Sequence, residues 1–143
     1  MLPGKYNTFK AVEFPLYGVD NKEKWDEMIR KLQTTDYVII ASNRLYVPLM
    51  KLTDCNNLPK DRCYPITARY YDKLFDNKFG YLKVAEFSSY PQLPISHIGP
   101  IGLISNDDGA DESFTVYDHP KIMIFKNIER LSPYQLQQQL LNP

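Results

Sequence analysis

Apolar positions recur along the chain in two periods, and each period marks a different element. Trp25, Met28, Ile29 and Leu32 fall at i, i+3, i+4 and i+7, one face of an α-helix. Lys22, Asp26, Arg30 and Lys31 take the other side. The pattern predicts a helix over Asp20–Thr34, with Asp20 as its cap and Glu23 three residues on, the spacing of a capping box. Before it, Phe9–Tyr17 reads as a first strand, apolar at Phe9, Ala11, Phe14 and Leu16 with Lys10 and Glu13 between. Pro15 places that strand at an edge or at its own end, because proline has no N–H for the ladder. After the helix comes Asp36–Ser42, in which Tyr37-Val38-Ile39-Ile40-Ala41 is continuously apolar. That is the pattern of a strand covered on both faces, as in a parallel sheet. Strand, helix and strand make one βαβ unit.

Leu45–Pro65 reads as a connection, with Pro48, Pro59 and Pro65 along it. Tyr70, Tyr71, Leu74 and Phe75 then form a helical stripe within Thr67–Asp76, with Thr67 as cap and Gly80 past the end. Tyr81–Ser88 is the third strand, with Leu82, Val84 and Phe87 as its core candidates. Tyr90–Asp111 is long for a loop in a small domain. Ser113–Tyr117 and Ile122–Lys126 read as an antiparallel hairpin around Asp118-His119-Pro120-Lys121. Ser132-Pro133 opens a terminal helix as cap and first helical residue, with Leu136, Leu140 and Leu141 on its apolar side. The expected architecture is α/β: a small sandwich with a mostly parallel sheet flanked by helices, plus a C-terminal antiparallel hairpin and the terminal helix. It is one domain over 1–143, with 1–8 as a loose lead-in and 90–111 as the long loop.

Charge and length narrow the function classes. Lys plus Arg number 17 and Asp plus Glu number 17, a formal net charge of zero. A nucleic-acid platform needs a surplus of cations to displace counterions from phosphate, so nucleic acid is not an expected partner. The longest apolar run, Tyr37 to Ala41, is far short of the roughly 20 residues of a membrane-spanning helix. Met1 to Lys10 has no apolar core like that of a signal peptide. The chain itself is expected to be soluble.

Several groups of residues are candidates for chemistry. Cys55 and Cys63 lie eight apart across a polar, turn-forming stretch, which allows a short disulfide loop, two free thiols or a thiolate metal pair. Only His97 and His119 are available as imidazole ligands, and neither makes a zinc spacing. A disulfide would place the domain outside the cytoplasm. Ser42-Asn43-Arg44 with Tyr46 follows the carboxyl end of a strand, where open α/β sheets bind ligands, and Arg44 can clamp a phosphate or carboxylate. Equally, Asn43 can make a turn and Arg44 pair elsewhere. The acidic run Asp107, Asp108, Asp111 and Glu112 lacks the alternation of a calcium loop and reads as a solvated turn. Asp118 beside His119 is an acid next to an imidazole, but neighbours in a strand point to opposite faces, and a hairpin turn explains them as well. The apolar residues Leu93, Ile95, Ile98, Ile101, Leu103 and Ile104 either fold back over the core or dock onto a partner.

Four segments carry a resemblance: Asp36-Tyr37-Val38-Ile39-Ile40-Ala41-Ser42-Asn43-Arg44-Leu45-Tyr46; Tyr64-Pro65-Ile66-Thr67-Ala68-Arg69-Tyr70-Tyr71 with Leu74-Phe75; Val84-Ala85-Glu86-Phe87 with Ser89-Tyr90-Pro91; and Asp111 to Lys121 with Ile124-Phe125. In this order, over roughly residues 10–141, the chain resembles the carboxyl-terminal extracytoplasmic domain of bacterial family 39, protein-mannosyltransferase-like membrane glycosyltransferases, which use polyprenyl-phosphate-linked sugars. In that family the catalytic acid sits in the membrane portion, so the resemblance assigns no catalytic residue, cofactor or metal to this chain. It implies an extracytoplasmic, membrane-associated accessory domain that docks on a membrane-embedded glycosyltransferase module or another protein, or binds glycan or polyprenyl-phosphate sugar. Asn43, Arg44, Tyr46, Tyr70, Asp118 and His119 are the expected ligand-facing set. Two alternatives stand beside it. One is a stand-alone interaction domain docking through residues 93–104. The other is a small enzyme using Asp118 and His119.

Overall fold

Helix α1 (Lys22–Thr34) forms where its stripe places it, and Trp25, Met28, Ile29 and Leu32 are all buried. The computed structural model describes residues 9–88, 92–93, 103–104 and 121–142. The cap of α1 is Asn21, whose side chain accepts from the Lys24 backbone N–H at 2.9 Å, rather than the expected Asp20. Asp20 instead caps a different helix. Its Oδ2 accepts from the backbone N–H groups of Ile66 and Thr67 at 2.8 and 3.0 Å, in the first turn of α3 (Pro65–Phe75). Those N–H groups have no partner within their own helix, and a carboxylate there also meets the positive end of the helix dipole. Pro65 occupies the first turn of α3, so the helix starts two residues before the expected Thr67, and Thr67 is buried inside it.

The expected strand over Phe9–Tyr17 is not a strand. Phe9 and Val12 are exposed, and only Phe14 and Leu16 pack against the core. Side chains of α1 fasten this segment: Lys31 Nζ donates to Glu13 O at 2.7 Å, and Lys24 Nζ donates to Leu16 O and Gly18 O at 2.9 and 2.8 Å. Among the described residues it pairs with no strand.

The sheet is antiparallel, which corrects the expected mostly parallel arrangement. Strands β1 (Tyr37–Ile40) and β2 (Tyr81–Ser88) both pair antiparallel with β5 (Lys121–Asn127), in the order β1-β5-β2. β1 and β2 therefore run in the same direction, joined through α2 (Val47–Lys51) and α3, but β5 lies between them. Two short strands, β3 (Gln92–Leu93) and β4 (Leu103–Ile104), pair antiparallel with each other. The expected strand over Ser113–Tyr117 and the turn after it lie outside the described residues, as do Ile95, Ile98, Ile101 and the acidic run 107–112.

One face of the three-stranded sheet makes the core. Val38, Ile40, Met123, Phe125 and Tyr81 are buried there with residues of α1, α3 and the terminal helix α4 (Pro133–Leu141). The Tyr81 hydroxyl and the Asn127 side-chain amide donate to the carbonyl of Leu32 at 2.7 and 3.3 Å. They close the C-terminal end of α1, where helix carbonyls lack internal partners. The other face stays open, with Tyr37, Ile39, Leu82 and Phe87 exposed. Leu82, Val84 and Phe87, the expected core positions of β2, are thus on the wrong side. A bulge between Lys83 and Ala85 adds a residue, which shifts the alternation within the strand. As expected, α4 opens at Ser132-Pro133, and Ser132 and Gln135 form a full capping box.

Cys55 and Cys63 form a disulfide with Cα atoms 5.4 Å apart. Cys55 is exposed and Cys63 buried. The Tyr64 N–H bonds to Leu52 O at 2.7 Å and closes the base of the same loop. Because this backbone bond remains after reduction, dithiothreitol is expected to lower stability by about 2–3 kcal/mol, the loop-closure contribution of a short ring, without unfolding the chain. Urea melts with and without reductant measure the difference. Global unfolding on reduction would contradict it.

Candidate functional site

Bulge and helix ends together build a cleft of about 250 Å³ at one end of the sheet's covered face. Residues three apart in a regular strand point to opposite faces. In β2 the bulge brings Lys83 and Glu86 to the same face, Lys83 opposite Phe125 and Glu86 opposite Met123. Asn77, in a left-handed conformation at φ 56°, supports the bulge by accepting from the Lys83 backbone N–H at 2.7 Å. On the rim, Glu86 bridges two lysines: its Oε2 lies 2.7 Å from Lys83 Nζ and its Oε1 lies 3.1 Å from Lys121 Nζ. Hydrogen bonds from Lys83 and Lys121 hold the Glu86 carboxyl below its ordinary range, so it is ionised at neutral pH.

The floor of the cleft is aromatic. Tyr46 meets Phe75 edge to face with centroids 4.9 Å apart, and Phe75 lies 6.0 Å from Phe125. Tyr46 reaches this position from the segment after the 3₁₀ turn Asn43–Leu45, where Ser42 Oγ accepts from the Arg44 N–H. The half-buried Tyr46 and Phe75 rings keep part of their surface open, whereas Phe125 is fully buried, and the charged rim offers both donors and acceptors. This combination suits a ring that has apolar C–H faces and hydroxyl edges. A larger groove of about 450 Å³ between α1 and α4 is lined by Glu23, Asp26, Arg30 and Gln137 with Ile29 and Pro133. It has no ring to stack on, and Asp26 is already paired with Lys22 at 2.8 Å.

Of the expected ligand-facing residues, Tyr46 lines the cleft. Arg44 is exposed on the 3₁₀ turn, its carbonyl accepting from the Tyr17 hydroxyl at 2.9 Å, and Asn43 is half-buried. Tyr70 stands wholly inside the core, among Trp25, Tyr71 and Phe79. Burial pushes its phenol well above the ordinary value, so it stays neutral. Asp118 and His119 lie outside the described residues. Lys83, Glu86, Phe75 and Phe125 were not among the expected ligand-facing residues, because only the bulge, the long-range β2–β5 pairing and the packing of α3 bring them together. Among the described residues no group of three or more His, Cys, Asp or Glu could hold a metal ion, and no helix is long and apolar enough to cross a membrane.

Comparisons with protein-family models, with curated proteins and with solved structures yield no match for this chain.

Proposed function

We propose that this chain is a non-catalytic, extracytoplasmic accessory domain of a polyprenyl-phosphate-sugar-dependent membrane glycosyltransferase-like protein, and that it works by binding a glycan or acceptor sugar in the cleft beside Tyr46. The observation that carries the binding role is the half-open ring pair of Tyr46 and Phe75, backed by the buried Phe125, under the Lys83–Glu86–Lys121 rim. A pyranose lays its C–H face on such rings and directs its hydroxyls to the charged groups, which both donate and accept. The Cys55–Cys63 disulfide supports an oxidising compartment. The likeness of the four sequence segments supports the link to a membrane glycosyltransferase.

The test is binding of methyl glycosides of the common hexoses to the intact chain, followed by saturation-transfer NMR. Transfer to at least one glycoside is expected, with Tyr46→Ala weakening that binding about tenfold or more, the effect of losing roughly 1.4 kcal/mol of stacking. No transfer to any glycoside, or equal binding by the variant, would remove the cleft from the account.

A further inference from the structure

Helix α3 ends in a Schellman motif. The Lys78 N–H donates to Lys73 O at 2.8 Å and the Asn77 N–H donates to Leu74 O at 3.2 Å. Asn77 is therefore the residue just past the cap Asp76, and it takes the left-handed conformation that this helix end requires, at φ 56°. Glycine is the usual occupant of that position, because it has no Cβ to strain there. Asparagine also tolerates it and brings a side-chain carbonyl with it. That carbonyl is used: Asn77 Oδ1 accepts from the Lys83 backbone N–H at 2.7 Å.

The bond ties together two sides of the cleft. Phe75 is the last residue of α3, two before Asn77, and its ring lies in the cleft against Tyr46. Lys83 is the last residue of β2 in register before the bulge, and pairing resumes at Ala85. Holding the Lys83 N–H pins the strand on the near side of the bulge, so that the extra residue falls at Val84, which is 48% exposed. That placement leaves Lys83 and Glu86 on one face, with Lys83 Nζ 2.7 Å from Glu86 Oε2. A ladder without the extra residue would turn the two side chains to opposite faces.

We infer that Asn77 is a positioning residue of the cleft: it ends α3 and, through the Lys83 N–H, fixes the bulge that sets the Lys83 ammonium on the rim beside Glu86. Its effect on a ligand rests on the sugar-binding reading. The geometry it imposes on Lys83 and Glu86 is read without any ligand.

Two substitutions separate the roles of backbone and side chain. Asn77→Gly keeps the left-handed helix end and removes the acceptor, whereas Asn77→Asp keeps both. The first readout is an NMR titration of the Glu86 side-chain carboxyl in the full chain without sugar. Lys83 and Lys121 hold that carboxyl below its ordinary range. Asn77→Gly is expected to raise its midpoint toward that range, and Asn77→Asp to leave it near the wild-type position. The second readout is the Kd of the methyl glycoside that the wild type binds best. Asn77→Gly is expected to weaken binding about tenfold, the scale of one lost hydrogen bond to a charged group, and Asn77→Asp is expected to bind as the wild type does. Because Asn77 acts through Lys83, Lys83→Met should weaken binding by the same factor, and adding Asn77→Gly to it should weaken binding no further. Additive losses would overturn the inference. So would a Glu86 midpoint that does not move in Asn77→Gly, an Asn77→Gly variant that binds as the wild type does, or an Asn77→Asp variant that behaves like Asn77→Gly. If no glycoside binds the wild type, the sugar-binding reading falls, and the Glu86 midpoints alone decide the role of Asn77.

Discussion

Replacing Lys24 by alanine is expected to destabilise the fold by about 3–5 kcal/mol, the cost of leaving one partner of a buried ion pair uncompensated. The Lys24 and Asp20 side chains are only 4% and 3% exposed. Lys24 Nζ sits 2.9 Å from Asp20 Oδ1 and 2.7 Å from Thr67 Oγ1, as well as close to the carbonyls of Leu16 and Gly18. Its ammonium also lies 5.5 and 5.4 Å from the centroids of the Trp25 and Tyr64 rings, within cation–π range. Removing it strips the donor from two carbonyls and leaves Asp20 buried without its cation. Lys22→Ala is the control, because Lys22 is 82% exposed and its pair with Asp26 lies on the surface, where such pairs contribute little. Urea melts of the two variants check the contrast. Equal stabilities would contradict the buried-network account.

The same network sets the acid limit of the fold. Burial alone would raise the Asp20 carboxyl, but hydrogen bonds from the Thr67 side chain and backbone, and from Lys24, outweigh it and hold the group below its ordinary value of 3.8. A carboxyl depressed on folding contributes stability that is present above its unfolded value and is lost as the pH falls through its folded value. Stability is therefore expected to fall below about pH 4, and Asp20→Asn should flatten that acid limb while lowering stability at neutral pH.

Phe125→Ala is expected to cost about 3–5 kcal/mol, the range for truncating a buried phenylalanine. Phe125 is fully buried on the central strand, between Val38 and Lys83 in register, and its ring packs against Phe75. Its loss leaves a void under both the core and the cleft floor. Phe87→Ala, on the open face, is expected to change stability by no more than about 0.5 kcal/mol, as exposed positions do. Thermal and urea unfolding of the pair test the assignment of faces in β2 as well as the size of the effect. A larger loss from Phe87→Ala than from Phe125→Ala would reverse that assignment.

Sequence and structure agree where the physics is local. The Trp25, Met28, Ile29 and Leu32 stripe predicts α1 because helical periodicity is set within a few turns, and Ser132-Pro133 predicts the start of α4 because a cap and a proline act on the next turn. The span of β2 was also legible, but its facing was not. Leu82 already faces outward before the bulge, opposite Lys126, and the bulge after Lys83 then turns Phe87 to that same open side, which alternation alone does not reveal. The run Tyr37 to Ala41 misled for a related reason. Its apolar residues fill both faces, yet only Val38 and Ile40 meet the core, while Tyr37 and Ile39 lie open. Strand order rests on pairing β1 with β5 across more than half of the chain, which no local pattern encodes. Asp20 looked like a helix cap and is one, but for α3 rather than α1. Within the candidate site, Tyr46 was legible from its place after a strand, whereas its rim depended on the bulge.

The most direct test of the proposed sugar-binding role is a chemical-shift titration of the isotope-labelled chain with the methyl glycoside that binds best. Perturbations confined to Tyr46, Phe75, Lys83, Glu86 and Phe125, and saturating with glycoside, are the expected result. Perturbations that cluster elsewhere on the fold, or none up to the solubility of the sugar, would contradict it.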